Sequence, residues 1–251
     1  MKRIFITGAS RGIGRALCTT IAQKEKCKFA LVARNTVLLE QVKTELESYG
    51  SVAHIFPCDI SNKEQFQSTI QTSNAFLNGI DIAILNAGIS YNRWIVDDGY
   101  SLSFEETYRT NVFSIAYALE KLSKIMKGSN GKIVVLSSLA DVRGFPSSSA
   151  YCSSKSAVTK LAESARVELQ KEGIRVLTVK PGFVETDMTS KNNFFMPFLM
   201  DAQKASEIIW SGIQKNKKTI AFPFPMVLLT KLISLIPNSI YDYLAGLYKK
   251  G

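Results

Sequence analysis

Tyr151 and Lys155 stand four positions apart in Ala150-Tyr151-Cys152-Ser153-Ser154-Lys155-Ser156-Ala157, and Ser138 lies thirteen positions before the tyrosine. A free phenol ionises near ~10, so it exchanges protons near neutral pH only where a cation is held beside it. Positions i and i+4 of a helix share a face, which would set the Lys155 ammonium near the Tyr151 phenol and lower its pKa. Read alone, the pair also fits a solvated tyrosine and lysine on an ordinary helix. The rest of the chain decides between the two.

Lys2–Thr7 reads as a strand that runs straight into Thr7-Gly8-Ala9-Ser10-Arg11-Gly12-Ile13-Gly14, with a helix starting at Gly12. Glycines let the backbone turn sharply and let a pyrophosphate approach the amides of a helix N-terminus. The spacing is G-x-x-x-G-x-G rather than G-x-G-x-x-G, and its position between a first strand and a first helix points to a dinucleotide. The second strand ends Val32-Ala33-Arg34-Asn35, without the acid that would bind a ribose 2′-hydroxyl. A guanidinium there clamps a 2′-phosphate, and Arg11 in the turn supplies a second cation, so NADP(H) is favoured over NAD(H).

The elements that would position these residues alternate along the chain. Strands are expected at Lys2–Thr7, Phe29–Ala33, Val52–Cys58, Ile80–Leu85, Lys132–Ser137, Ile174–Lys180 and Thr219–Phe222, with long helices over Phe104–Lys127 and Tyr151–Glu172. Consecutive apolar residues such as Ile133-Val134-Val135-Leu136 are expected of a parallel sheet covered on both faces. The expected fold is therefore α/β: a doubly wound, Rossmann-like, seven-stranded parallel sheet with helices on both faces. No linker or repeat divides residues 1–251, which read as one dinucleotide-binding and catalytic domain.

Four cysteines without a C-x-x-C pair and a single histidine, His54, argue against a metal centre and for a reducing, cytoplasmic setting. His54 in its strand-like run reads as structural, which disfavours a Ser-His-Asp hydrolase. No apolar stretch is long enough for a signal peptide or a membrane span. The net charge of +10 suits anionic ligands, and its scattered basic residues carry no nucleic-acid motif.

Together the glycine turn, Asn86-Ala87-Gly88 after strand four, Asn111, the Ser138/Tyr151/Lys155 set and Pro181-Gly182 resemble the short-chain dehydrogenase/reductase family, in its compact single-domain branch. The resemblance covers residues 1 to about 222. It implies that Tyr151 donates a proton to a substrate carbonyl oxygen as hydride arrives from the nicotinamide. Lys155 would hold the nicotinamide ribose, and Ser138, not Ser137, would hydrogen-bond the carbonyl oxygen. Asn111 would hold a water for proton relay to the lysine. Gly8, Ser10, Arg11, Gly12, Ile13 and Gly14 would line the pyrophosphate, and Arg34 the 2′-phosphate. Asp59 would meet the adenine, unless it is a helix cap before Asn62–Asn78. Asn86, Ala87 and Gly88 would line the adenosine side. Pro181 and Gly182 would turn the chain under the nicotinamide, with Val184 and Thr186 at its carboxamide.

The implied activity is NADPH-dependent reduction of an apolar or acyl-type ketone or aldehyde by a homo-oligomer. Alternatives are an alcohol or hydroxysteroid dehydrogenase working oxidatively, or a cofactor-bound sensor or scaffold. Residues 186–210, rich in Phe and Met, suit either a lid over a hydrophobic substrate or a helix packed on the sheet. Residues 223–251 form an apolar extension that would cover the cleft, make a protein contact or lie at a membrane interface.

Overall fold

Ile4, Phe5 and Ile6 are all fully buried, although neighbours along a strand point to opposite faces. Both faces of that strand must be covered, and in the computed structural model, which describes residues 1–190 and 195–247, they are. The strands are β1 (Lys2–Thr7), β2 (Cys27–Ala33), β3 (Val52–Pro57), β4 (Ile82–Leu85), β5 (Lys132–Leu136), β6 (Arg175–Pro181) and β7 (Thr219–Phe222). They form one seven-stranded sheet in the order β3-β2-β1-β4-β5-β6-β7, with every pairing parallel. This is the doubly wound sheet expected from the alternating pattern.

Helices α1 (Gly12–Lys24), α2 (Thr36–Ser48) and α7 (Ala202–Gln214) cover one face, burying Leu17, Ile21, Leu39, Val42, Ile209 and Ile213 against Ile4, Ile6, Leu31 and Val134. On the other face lie α3 (Lys63–Leu77), α4 (Tyr100–Tyr108), α5 (Ser114–Ile125) and α6 (Ser149–Gln170). There Phe66, Ile70, Leu122, Val158 and Ala162 pack on Phe5, Val32, Ala83 and Val135. Local chemistry sets the helix ends. Asn35 and Asn62 cap α2 and α3 by accepting from the amides of Leu38 and Gln65, and Asn78 ends α3 in a left-handed conformation. Asn62 holds the cap before α3, so Asp59 does not.

The single helix expected over Phe104–Lys127 is instead divided. Between α4 and α5 the residues Arg109–Phe113 form a π-helical turn, which takes one residue more than a regular turn. Buried Asn111 lies inside it, and its side chain bonds outside the helix rather than pointing to solvent. The chain ends in α8 (Phe224–Leu235) and α9 (Asn238–Gly246).

Because every strand is parallel, the residues that follow β1, β4, β5 and β6 emerge on the same edge of the sheet. The order reverses between β1 and β4, where Thr7 pairs with Leu85. Chains of this kind bind ligands at that switch point, in the crevice beyond the strand ends.

Candidate active site

Ser138 follows β5 and caps a short 3-10 turn, Leu139–Val142, its hydroxyl accepting from the Ala140 amide at 3.1 Å. Tyr151 and Lys155 lie in the first turns of α6, which starts at the same sheet edge. The Lys155 ammonium is buried, donates to the Leu136 carbonyl at 3.0 Å, and stands 5.7 Å from the centre of the Tyr151 ring. Burial brings its pKa down to about 8. Tyr151 keeps part of its surface open, but its hydroxyl is enclosed by protein. Burial pushes its pKa up to about 12, against an opposing contribution from a hydrogen bond with Ser138.

That direction corrects the lowering expected from i, i+4 spacing. Spacing sets which groups are near one another, and desolvation of the phenolate outweighs the neighbours here. Tyr151 is therefore held protonated at neutral pH, opposite a serine hydroxyl.

Asn111 completes the group from the π-helical turn. Its Oδ1 accepts from the Ile89 amide at 2.9 Å, while its Nδ2 donates to the Ile89 carbonyl at 2.9 Å and to the Ser154 hydroxyl at 3.1 Å. The amide thus ties the segment after β4 to α6, one residue from Lys155. Gly88 packs closely there, since a Cβ would stand 3.2 Å from Asn111 Oδ1 and 3.5 Å from Lys155 Nζ. Ser137 points away from Ser138, donating to the Lys155 carbonyl at 3.0 Å and sharing a proton with Thr159 at 2.7 Å. It pins α6 to the end of β5.

The glycine turn leaves room for a dinucleotide by geometry that side chains would destroy. A Cβ on Gly14 would lie 2.1 Å from the Gly8 carbonyl oxygen, and Gly8 and Gly12 have positive φ. No side chain caps the N-terminus of α1 and its first turn holds no acid, so its amides are available to an anion. Ser10 is buried in the turn, and Ile13 packs against the core. Asn86 donates to the carbonyls of Thr7 and Gly8 at 3.0 and 3.1 Å, and Ala87 donates to Thr7 Oγ1 at 3.2 Å, which locks the two strand ends together. These residues fit a dinucleotide.

Asp59 accepts from the amide and hydroxyl of Ser61 on the exposed rim. Arg34 is exposed and makes no hydrogen bond or ion pair among the described residues, whereas Arg11 pairs with Asp187 at 3.2 Å on the surface. After Pro181, Gly182 turns against Met226. Val184 is buried and bridges Met200, and the Thr186 methyl lies against Gly12. Of the expected lid, residues 202–210 belong to α7 with Ile209 and Trp210 buried, while Phe195, Phe198 and Leu199 are exposed. Lys191, Asn192, Asn193 and Phe194 lie outside the described residues, as do Tyr248, Lys249, Lys250 and Gly251 of the extension.

Comparison with known proteins places this geometry. The model of the short chain dehydrogenase family matches residues 2–195. An uncharacterized oxidoreductase from Myxococcus xanthus is 31% identical over 242 residues, covering 95% of this chain and 94% of that protein. A fatty acyl-CoA reductase from Acinetobacter baylyi is 30% identical over 222 residues, covering 86% of this chain and 75% of its own length. In fold, the chain resembles a short chain dehydrogenase/reductase from Burkholderia phymatum crystallised in complex with NAD. The TM-score is 0.83 at 19% identity, over 98% of this chain and 95% of the other.

Two groups beside the site went unnoticed in the sequence. Asp141, in the turn after Ser138, accepts from Lys180 Nζ at 2.9 Å and from the Thr159 hydroxyl at 2.6 Å, and its backbone carbonyl accepts from Ser156. Both charged side chains are largely buried, at 4% exposure for Asp141 and 20% for Lys180. The pair joins the Ser138 turn, the end of β6 and α6. A signal was present: a lysine in an apolar parallel strand, Leu177-Thr178-Val179-Lys180, needs a nearby acid. Arg143 is the second group, donating to the Ile233 and Ile236 carbonyls at the end of α8 and to Asn238 Oδ1. Replacing Asp141 by Asn keeps a partner for Thr159 but strands the Lys180 charge. This should cost about 3 kcal/mol of stability, and Lys180→Met in the same chain should restore most of it. Urea unfolding of both variants measures the difference; equal stability would show that the pair contributes no net charge-pairing energy.

Proposed function

We propose that this chain, which belongs to the short-chain dehydrogenase family and so is an NAD(P)-dependent oxidoreductase, is an NADPH-dependent reductase of apolar or acyl-type ketones and aldehydes. The observation that carries the reading is the grouping of Tyr151, its phenol hydrogen-bonded to the Ser138 hydroxyl, with the Lys155 ammonium 5.7 Å from the centre of its ring. A proton donor and a hydrogen-bond donor that converge on one point suit a carbonyl oxygen gaining negative charge. A nicotinamide held by the glycine turn and Lys155 would supply hydride for the carbonyl carbon. Tyr151 gives its proton to the oxygen as the C=O π bond breaks, and Ser138 holds that oxygen in place.

Lys155 has two tasks in this scheme. Its ammonium, 5.7 Å from the ring centre, would stabilise the phenolate left after transfer, and it would hold the nicotinamide ribose. Asn111, bonded to Ile89 and Ser154, keeps α6 and the Gly88 backbone in register. A protonated Tyr151 suits the reductive direction, in which the phenol gives up its proton.

Support for NADPH comes from the cations at the adenosine end. Arg34 stands unpaired after β2 where an acid would repel a 2′-phosphate, and Arg11 in the glycine turn, paired on the surface with Asp187, supplies a second cation that a phosphate could draw away. The relative that reduces fatty acyl-CoA and the exposed Phe195, Phe198 and Leu199 after the nicotinamide segment support an apolar or acyl-type substrate.

Two measurements test the proposal. With a panel of ketones and aldehydes and NADPH consumption as readout, Tyr151→Phe should lower turnover about 10²–10⁴-fold while NADPH binding, followed by its fluorescence, persists. Full turnover by that variant would remove the proposed donor. In titrations of the wild type NADPH should bind tighter than NADH, and Arg34→Ala should weaken NADPH alone by about 10–100-fold. Tighter binding of NADH by the wild type would overturn the cofactor assignment.

A further inference from the structure

Helices α8 and α9 present to solvent the stripe that a packed helix would turn inward. Along α8 the exposed apolar residues include Phe224, Leu228, Leu232 and Leu235, at 77%, 50%, 55% and 78% exposure, with Lys231 and Ser234 exposed among them. Along α9 and its C-cap the exposed large apolar residues are Ile240, Tyr243, Leu244 and Leu247, spaced i, i+3, i+4, i+7, with Asp242 exposed between them. Thr230 is the only buried residue of α8, and α9 buries none. An amphipathic period facing water calls for a covering surface.

The helices are nevertheless fixed in place, through polar contacts on their inner side. Arg143 holds the carboxyl end of α8 and Asn238 at the start of α9, its guanidinium stacks 4.2 Å from the Tyr241 ring, and Tyr241 donates to the Gly144 carbonyl. Their outer faces are thus held outward beside the catalytic turn, since α8 packs on Leu139–Val142 and Met226 meets Gly182.

Length and charge select the occupant. At ~1.5 Å per residue α8 and α9 reach about 18 and 14 Å, well short of a hydrocarbon core of ~30 Å, and they bend by 116° at their junction. Neither can span a bilayer, but both can lie in its surface. Residues 223–251 carry Lys231, Lys249 and Lys250 against Asp242 alone, within a chain of net charge +10. Lys231 lies exposed within the α8 stripe, and a basic residue there, in a chain of net charge +10, suits anionic headgroups. A two-fold contact through α8 would bring Lys231, near the middle of the helix, toward its own copy.

We propose that the outer faces of α8 and α9 dock in-plane on an anionic lipid bilayer and set the cleft against the membrane surface. Resting on the reductase reading, this makes the substrate a carbonyl compound that partitions into lipid.

Flotation of the full-length protein tests the docking without any turnover, so its outcome is separate from that of the reductase reading. The probes are vesicles of phosphatidylcholine with phosphatidylglycerol, and vesicles of phosphatidylcholine alone. Wild type should float with the anionic vesicles and lose binding as salt rises. The exposed substitutions Leu232→Glu and Leu244→Glu, made together, should lower partitioning at least about tenfold while circular dichroism and thermal unfolding stay unchanged. Absence of wild-type flotation, or equal flotation of both proteins, overturns the proposal. So does a wild-type dimer, found by light scattering, that the substitutions split without any vesicle binding; this would assign the face to a second copy.

Discussion

Burial of a phenol and an ammonium side by side is the constraint on which this structure turns. Desolvation favours the neutral form of each, raising Tyr151 and lowering Lys155. The site therefore holds a tyrosine that keeps its proton and a lysine poised near neutrality, an arrangement suited to giving a proton to a developing alkoxide. Keeping both groups out of water requires that α6 stay pressed against the end of β5. Ser137 and Thr159 fasten it there, Lys155 itself bonds the Leu136 carbonyl, and Asn111 braces it from the far side.

The surrounding fold follows from the same requirement. A parallel sheet delivers the ends of β1, β4, β5 and β6 to one edge, so the glycine turn, Asn86, Ser138 and Gly182 converge without long loops. The Asp141–Lys180 pair then fixes the turn after Ser138 to the end of β6. Arg143, two residues beyond Asp141, ties the same turn to the terminal helices. Whatever covers α8 and α9 is thereby mechanically close to Ser138.

Much of this was legible in the sequence because it depends on local pattern. The apolar run of β5, the glycines between β1 and α1, and the four-residue spacing of Tyr151 and Lys155 each require one kind of backbone. The seven strands and the sheet class follow from them. Three features were not legible, for physical reasons. The π-helical turn holds Asn111, whose side chain bonds Ile89, a residue remote in sequence. Asp141 and Lys180 are 39 positions apart and meet only once β5 and β6 pair. The sign of the Tyr151 shift depends on how completely its hydroxyl is enclosed, and spacing along a helix carries no information about that.

The measurement that bears most directly on the central claim is the ionisation of Tyr151 in the free protein. Tyrosine labelled with carbon-13 at Cζ, compared between wild type and Tyr151→Phe, isolates one resonance whose shift reports the phenolate. The account predicts that this resonance stays in its protonated position through pH 10 and moves only toward about 12. A Tyr151 phenolate appearing near neutral pH would show that the Lys155 charge, not burial, governs the site.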